Sequence, residues 1–169
     1  DMFRLAASFL TAAIIGLVPA RAADAAPFSL ESYFKGSTIA TGSFTAINGV
    51  KRDFTVDLNG KWDGRTLVLV ENFRYADGER DRKTWRFRKI AENRYRGTRE
   101  DVVGETTVTV RGDTATFTYL VDIPASGKVM RVRFHDRMML KPDGTLVNNA
   151  LVTKWALPVA WTKVVFRRK

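Results

Sequence analysis

The strongest constraint on the fold is a two-residue alternation of apolar and polar side chains that recurs along most of the chain. Every second residue from Phe54 to Leu58 is apolar, and Trp85 and Phe87 alternate with polar and basic neighbours. Successive side chains of a β-strand point to opposite faces, so this pattern is typical of strands with one buried face. No segment after Phe34 shows the stripe of an amphipathic helix. The rest of the chain is therefore predicted to be all-β.

Turn-forming dipeptides separate the alternating runs and supply the positive φ angles that tight hairpins need. They are Asn48-Gly49, Asn59-Gly60, Asp63-Gly64, Asp77-Gly78, Gly112-Asp113, Ser126-Gly127 and Asp143-Gly144. Together the runs and turns predict about ten strands, over residues 37–47, 51–58, 65–75, 80–90, 94–99, 105–111, 114–122, 128–140, 145–157 and 159–167. The last two strands are separated at Pro158, because proline is excluded from central strands.

The short connections favour an antiparallel barrel. Strands that follow each other closely in sequence pair as hairpins. Closing such a series into an up-and-down barrel hides both sheet edges without a partner. We therefore predict an all-β, antiparallel, up-and-down barrel that forms a single domain over residues 27–169, with a helical turn from Leu30 to Phe34 at one end. A two-sheet sandwich is the alternative, although sandwiches usually need longer crossing connections.

The first 26 residues have a different composition from the rest. Arg4 precedes fourteen uncharged residues, Leu5 to Val18, and small residues follow them. A basic start, a short apolar run and an A-x-A site are typical of a secretory signal peptide. As a helix this run would rise about 21 Å, against about 30 Å for a hydrocarbon core. We expect residues 1–26 to be a signal peptide or a retained hydrophobic anchor helix, and the protein to be exported to the periplasm, with tethering to the inner membrane through residues 5–20 as the alternative.

Composition narrows the classes of function. The 169 residues include no cysteine and one histidine, which excludes thiolate metal sites, a cysteine nucleophile and a multi-histidine zinc site. We expect no metal and no cofactor. Twenty-eight basic and eighteen acidic residues give a net charge of +10, which favours an anionic partner. The densest basic run, residues 80–89, lacks any nucleic-acid-binding motif. We interpret this run as a solvated strand face or a surface that attracts anionic lipid headgroups, and we expect no nucleic-acid partner.

Several short motifs occur in a fixed order along the chain. They are Phe34-x-Gly36, Trp62-Asp63-Gly64, Leu67-x-Leu69-x-Glu71-x-Phe73-x-Tyr75, Asp77-Gly78, Arg82-x-x-Trp85, Tyr95-x-Gly97-Thr98, Asp101-Val102-Val103-Gly104, Phe134-x-Asp136, and Asp143-Gly144 with Asn148. Their order and spacing resemble the proteobacterial domain-of-unknown-function family 3833, from about residue 28 to residue 168. The resemblance implies an exported or lipid-anchored envelope protein with a lipocalin-like barrel and no established activity. The chain departs from the family pattern Phe-Asp-Asp-Trp-Met-Tyr, which here reads Phe134-His135-Asp136-Arg137-Met138-Met139.

Candidate ligand-binding side chains share the predicted inner face of the barrel. They are Glu71, Phe73, Tyr75, Trp85, Phe117 and Asp136. A carboxyl group among apolar side chains is costly unless it has a partner. Glu71 is therefore expected either to contact a ligand headgroup or to pair with Arg82 or Arg86, and Asp136 is a similar case. We expect the four tryptophans either to line a ligand cavity or to fill a closed end of the barrel; they are Trp62, Trp85, Trp155 and Trp161.

The first hypothesis for function is a periplasmic lipocalin-like protein that binds a lipid or another hydrophobic small molecule. The alternative is an accessory or structural subunit of a membrane or envelope protein complex, anchored by an uncleaved N-terminal helix. An anionic membrane surface is a further expected partner. We expect no enzymatic activity, because His135 lies between arginines and no nucleophile signature accompanies it.

Overall fold

The computed structural model describes residues 27–169, which form one short helix and a series of strands. The elements are α1 (Leu30–Phe34), β1 (Gly36–Ala46), β2 (Lys51–Trp62), β3 (Thr66–Tyr75), β4 (Arg80–Ala91), β5 (Arg94–Thr98), β6 (Val102–Val103), β7 (Thr106–Arg111), β8 (Thr114–Ala125), β9 (Lys128–Leu140), β10 (Leu146–Lys154) and β11 (Leu157–Arg168). The predicted hydrophobic segment, residues 1–26, lies outside the described residues. Within residues 27–169, no helix is long and apolar enough to cross a membrane.

The strands form one antiparallel sheet that closes on itself. Around the ring the order is β8, β7, β5, β4, β3, β2, β1, β11, β10 and β9, and pairing of β9 with β8 closes it. The closing ladder extends from Thr114 opposite Met139 to Ala125 opposite Lys128. The two-residue β6 pairs with β8 and adds to the ten strands of the ring. The predicted all-β antiparallel barrel of about ten strands is confirmed.

Three local predictions are corrected by the structure. Asn59-Gly60 forms no turn: both residues lie within β2, are paired with both neighbouring strands, and Gly60 has no positive φ angle. Strand β6 is missing from the predicted set, because two residues are too few to show alternation. The last hairpin turns at Trp155 and Ala156, whose φ angles are 49° and 66°, rather than at Pro158. Pro158 is exposed near the start of β11, next to an irregularity in the ladder at Val152 and Thr153. That position tolerates a residue without a backbone N–H.

Helix α1 lies across one end of the barrel, where the sequence predicts a helical turn. Ser29 caps the helix: its hydroxyl oxygen accepts a hydrogen bond from the Ser32 backbone, and the Ser32 hydroxyl oxygen accepts one from the Ser29 backbone. Phe34 packs edge-on against Phe166, with ring centroids 5.4 Å apart. The buried Leu30 is part of the same core. These contacts close this end with apolar side chains.

Glycine at position 60 lets the helix approach the barrel wall. A Cβ atom on Gly60 would lie 1.9 Å from the Phe34 carbonyl oxygen. Any larger residue would therefore push α1 away from β2. Glu31 adds a polar anchor, because its carboxylate accepts hydrogen bonds from the Lys89 ammonium group, at 2.5 Å, and from the Tyr95 hydroxyl.

Candidate functional site

The end of the barrel opposite α1 is lined by aromatic side chains that are only half-buried. Phe54 near the start of β2 contacts Phe73 and Tyr75 at the end of β3, with centroid distances of 5.7 and 5.8 Å. Phe44 and Phe134 lie on the inner face at the same end and are also half-buried. Because these rings face the interior but remain in contact with solvent, we call this end the open end.

A charged cluster lies on the inner wall beside the central aromatic rings. The Arg99 guanidinium lies 4.7 Å from the Trp85 ring centroid and 5.6 Å from that of Tyr119. It donates two hydrogen bonds to Asp101, at 2.5 Å from Nε and 3.0 Å from Nη2. Lys83 donates a third to the same carboxylate, at 2.7 Å. Burial alone would raise the pKa of Asp101, but these two cations outweigh it and hold that pKa below its ordinary value.

Glu71 is buried beside this cluster with an incomplete set of partners. Its Oε2 atom is 3.9 Å from Nη1 of Arg99, which is beyond hydrogen-bond distance, and it accepts no hydrogen bond. Lys83 is its cross-strand neighbour, yet the ammonium group binds Asp101 instead. Burial raises the pKa of Glu71 to about 7, although Arg99 and Lys83 oppose the shift. The carboxyl group therefore exchanges its proton near neutral pH.

The predicted pairing of Glu71 with Arg82 or Arg86 is wrong. Those arginines alternate along β4 with Lys83 and Trp85, so they point to the exposed outer face. The nearest cation is Arg99, which follows β5 and lies two strands away from β3 in the ring.

Asp136 forms a second buried polar group on β9. Its Oδ2 atom accepts a hydrogen bond from Nδ2 of Asn148 at 2.7 Å, and the Tyr119 hydroxyl lies 3.4 Å away. Its Oδ1 atom and the Oδ1 atom of Asn148 are buried without hydrogen-bond partners. Burial raises the pKa of Asp136 to about 6, against the hydrogen bond from Asn148. Two buried carboxyl groups inside the barrel can thus hold or release a proton between mildly acidic and neutral pH.

The space enclosed between Glu71 and the helix is small. Its volume is about 20 Å³. It is lined by Leu30, Phe34, Leu69, Glu71, Trp85, Phe87, Phe117, Met138 and Phe166. A cavity of this size holds about one water molecule. The deep part of the barrel is therefore filled by side chains.

All six predicted ligand-binding residues lie on the inner face, but at two depths. Phe73 and Tyr75 are at the open end, whereas Glu71, Trp85 and Phe117 line the small enclosed space. Asp136 is bound to Asn148 on the neighbouring strand. The structure therefore separates an aromatic mouth from a deeper polar layer.

Sequence reasoning missed several members of the polar layer. They are Lys83, Arg99, Asp101, Tyr119 and Asn148. Lys83 shares the parity of Trp85 along β4, which is a signal for an inward side chain. Arg99 lies beyond the end of β5 and gives no such signal. Two of the four tryptophans do not line the interior, because Trp155 is 85% exposed and Trp161 is 50% exposed.

The fold and this interior define a closed antiparallel β-barrel with a buried polar layer and one helix-capped end. The chain belongs to the family described as a protein of unknown function (DUF3833), whose model matches residues 10–168. The predicted family resemblance is confirmed. No curated protein matches the chain in sequence.

Two solved structures share the fold at low sequence identity. The S-type phycobiliprotein lyase CPES from Guillardia theta is 13% identical, with a TM-score of 0.58 and coverage of 84% of this chain and 93% of the lyase. Rv2717c from M. tuberculosis is 16% identical, with a TM-score of 0.58 and coverage of 82% of this chain and 94% of that protein.

The similarity to the lyase corrects one prediction. We expected no enzymatic activity from the absence of a nucleophile signature around His135. The same barrel fold occurs in a protein named as a lyase, so an argument from missing signatures does not exclude catalysis in this fold. The imidazole of His135 lies on the outer face and is 3.0 Å from the Thr153 hydroxyl.

Proposed function

We propose that the protein binds a hydrophobic small molecule, with a lipid as the favoured class, at the open end of its barrel. The half-buried aromatic rings on the inner face carry this proposal. Phe54, Phe73 and Tyr75 form a contacting set that faces inward and still meets solvent. Concave aromatic surfaces with a few polar groups are typical of sites for hydrophobic ligands.

The polar layer below the rings supports an amphipathic ligand with a polar head. Glu71 has an unpartnered oxygen that can accept a hydrogen bond, and its protonated form can donate one. Arg99 and Lys83 both bind the carboxylate of Asp101, and the Lys83 ammonium group also lies 3.2 Å from Asp81, so a network of paired charges lies beside Glu71. The apolar part of the ligand would cover the rings, and the polar head would point toward Glu71. Because a protein named as a lyase has the same fold, the proposal includes a reaction on the bound molecule. Glu71 and Asp136 would be the groups that exchange protons in it.

A fluorescent fatty acid tests this site. We expect 11-(dansylamino)undecanoic acid to bind the full chain, and Phe54→Ala or Phe73→Ala to weaken binding at least about tenfold, because each buried ring contributes roughly 1.5–3 kcal/mol. Ile90→Ala is the matched control, since Ile90 lies exposed on β4 near the α1 end. Circular dichroism verifies that each variant is folded. Equal affinity for all three variants would contradict the placement of the site.

We also propose that the protein is exported, with residues 1–26 acting as the signal peptide of a barrel domain formed by residues 27–169. The basic start and short apolar run support this role. Cell fractionation followed by intact-mass measurement tests it. A periplasmic chain shortened near Ala22 is expected, a membrane-bound uncleaved chain would favour the anchored alternative, and a cytoplasmic chain would contradict export.

A further inference from the structure

Three neighbouring hairpin tips at the open end carry exposed apolar side chains. Ile47 and Val50 lie on the β1–β2 tip, Val129 follows the β8–β9 tip, and Trp155 and Leu157 lie at the β10–β11 tip. These tips are consecutive around the ring because β1 pairs with β11 and β10 with β9. The side chains therefore form one sector of the edge, which we call the apolar rim.

The tips are also consistently basic. Lys51, Lys128 and Lys154 lie within them, and residues 46–51, 125–130 and 153–159 contain no aspartate or glutamate. The Lys154 ammonium group lies 4.5 Å from the Trp155 ring centroid. Within residues 27–169, the acids in the turns of this end lie beside the rim, on the β3–β4 tip and in the connection from β5 to β7. The three tips of the rim itself thus present apolar and basic side chains together, which is complementary to an anionic surface.

We infer that the apolar rim docks on the surface of a lipid bilayer that contains anionic lipids. Tryptophan and lysine together favour the membrane–water interface, where the ring enters the headgroup layer and the ammonium group meets phosphate. A protein partner fits this composition less well, since the cores of protein interfaces are depleted in lysine. The apolar residues also lie on separate protruding turns, as suits insertion between headgroups. This inference rests on exposure and charge alone, independently of the proposed ligand, and it directs the open end toward the bilayer.

Tryptophan quenching by vesicles tests the inference directly. Residues 1–26 contain no tryptophan, so the signal reports only on the barrel of the full chain. We expect phosphatidylglycerol vesicles with brominated acyl chains to quench the wild-type emission. Trp155→Phe/Trp161→Phe should lose most of this quenching while still co-sedimenting with the vesicles, because Trp62 lies near α1 and Trp85 is buried. If the wild type is not quenched, the rim does not enter the bilayer and the inference is overturned; a rim that docks on a protein would give this result. Undiminished quenching in the variant would also overturn the inference.

Paired charge variants identify the surface that meets the lipid. Lys128→Gln/Lys154→Gln removes two charges from the rim, and Arg86→Gln/Arg88→Gln removes two from the exposed outer wall of β4. Each basic residue near an anionic membrane changes binding about fivefold, so the rim pair should reduce partitioning about 25-fold and the wall pair much less. A larger loss for the wall pair would overturn docking through the rim.

Discussion

Replacing Glu71 by glutamine should make the protein more stable at alkaline pH but not at acidic pH. Burial raises the pKa of Glu71 from 4.5 to about 7 in the folded protein. The folded state therefore binds more protons than the unfolded state between these values, and the free energy of unfolding falls as pH rises through that window. The full rise in the pKa of Glu71 corresponds to a decrease of roughly 3 kcal/mol in the free energy of unfolding. About 2.5 kcal/mol of this decrease falls between pH 5 and pH 8.

The assay is urea unfolding of the wild type and the variant at both pH values, followed by tryptophan fluorescence. The stability of Glu71→Gln relative to the wild type should increase by about 2.5 kcal/mol from pH 5 to pH 8. Glu92→Gln makes the same chemical change at an exposed turn and should show no such difference between the two pH values. If the Glu71→Gln difference is the same at pH 5 and pH 8, or reverses, then Arg99 compensates the buried carboxylate fully and the reasoning is refuted.

Three further substitutions test the packing of the barrel. Gly60→Ala should lower the free energy of unfolding by about 1–3 kcal/mol, because the added methyl group meets the Phe34 carbonyl; thermal melting measures it, and an unchanged midpoint would contradict the close approach. Asp101→Asn should cost about 3–5 kcal/mol, since it removes the carboxylate to which Arg99 and Lys83 both donate hydrogen bonds; urea unfolding measures it, and a loss below 1 kcal/mol would speak against the pair. Trp85→Ala should cost about 3–5 kcal/mol in the same assay, and a smaller loss would indicate that the core collapses around the site.

The ten strands of the ring were predictable from sequence because their alternation marks one buried face, whereas the two-residue β6 is too short to show it. The alternation around Trp85 and the turn at Asp77-Gly78 both recur in the structure. The last turn was misplaced because Trp155 and Ala156 adopt left-handed conformations that these residue types rarely favour. A proline two positions later was the more visible signal, and it pointed to the wrong residue.

The inner face was predictable, but the contacts across it were not. Period-two alternation places Glu71 and Asp136 inside the barrel, as the structure has them. Which cation approaches Glu71 depends on ring closure and on the path of the chain after β5, where Arg99 turns inward. These features couple residues far apart in the ring, and no local pattern encodes them.

Native mass spectrometry of the protein, extracted gently from its own host, tests the central claim that the barrel binds a hydrophobic small molecule. A one-to-one adduct of lipid size is expected on the wild type and on Ile90→Ala. The adduct should be weakened or lost in Phe73→Ala, because that change removes a ring at the open end. An adduct-free mass for every variant, in preparations where added fatty acid also fails to bind, would contradict the account.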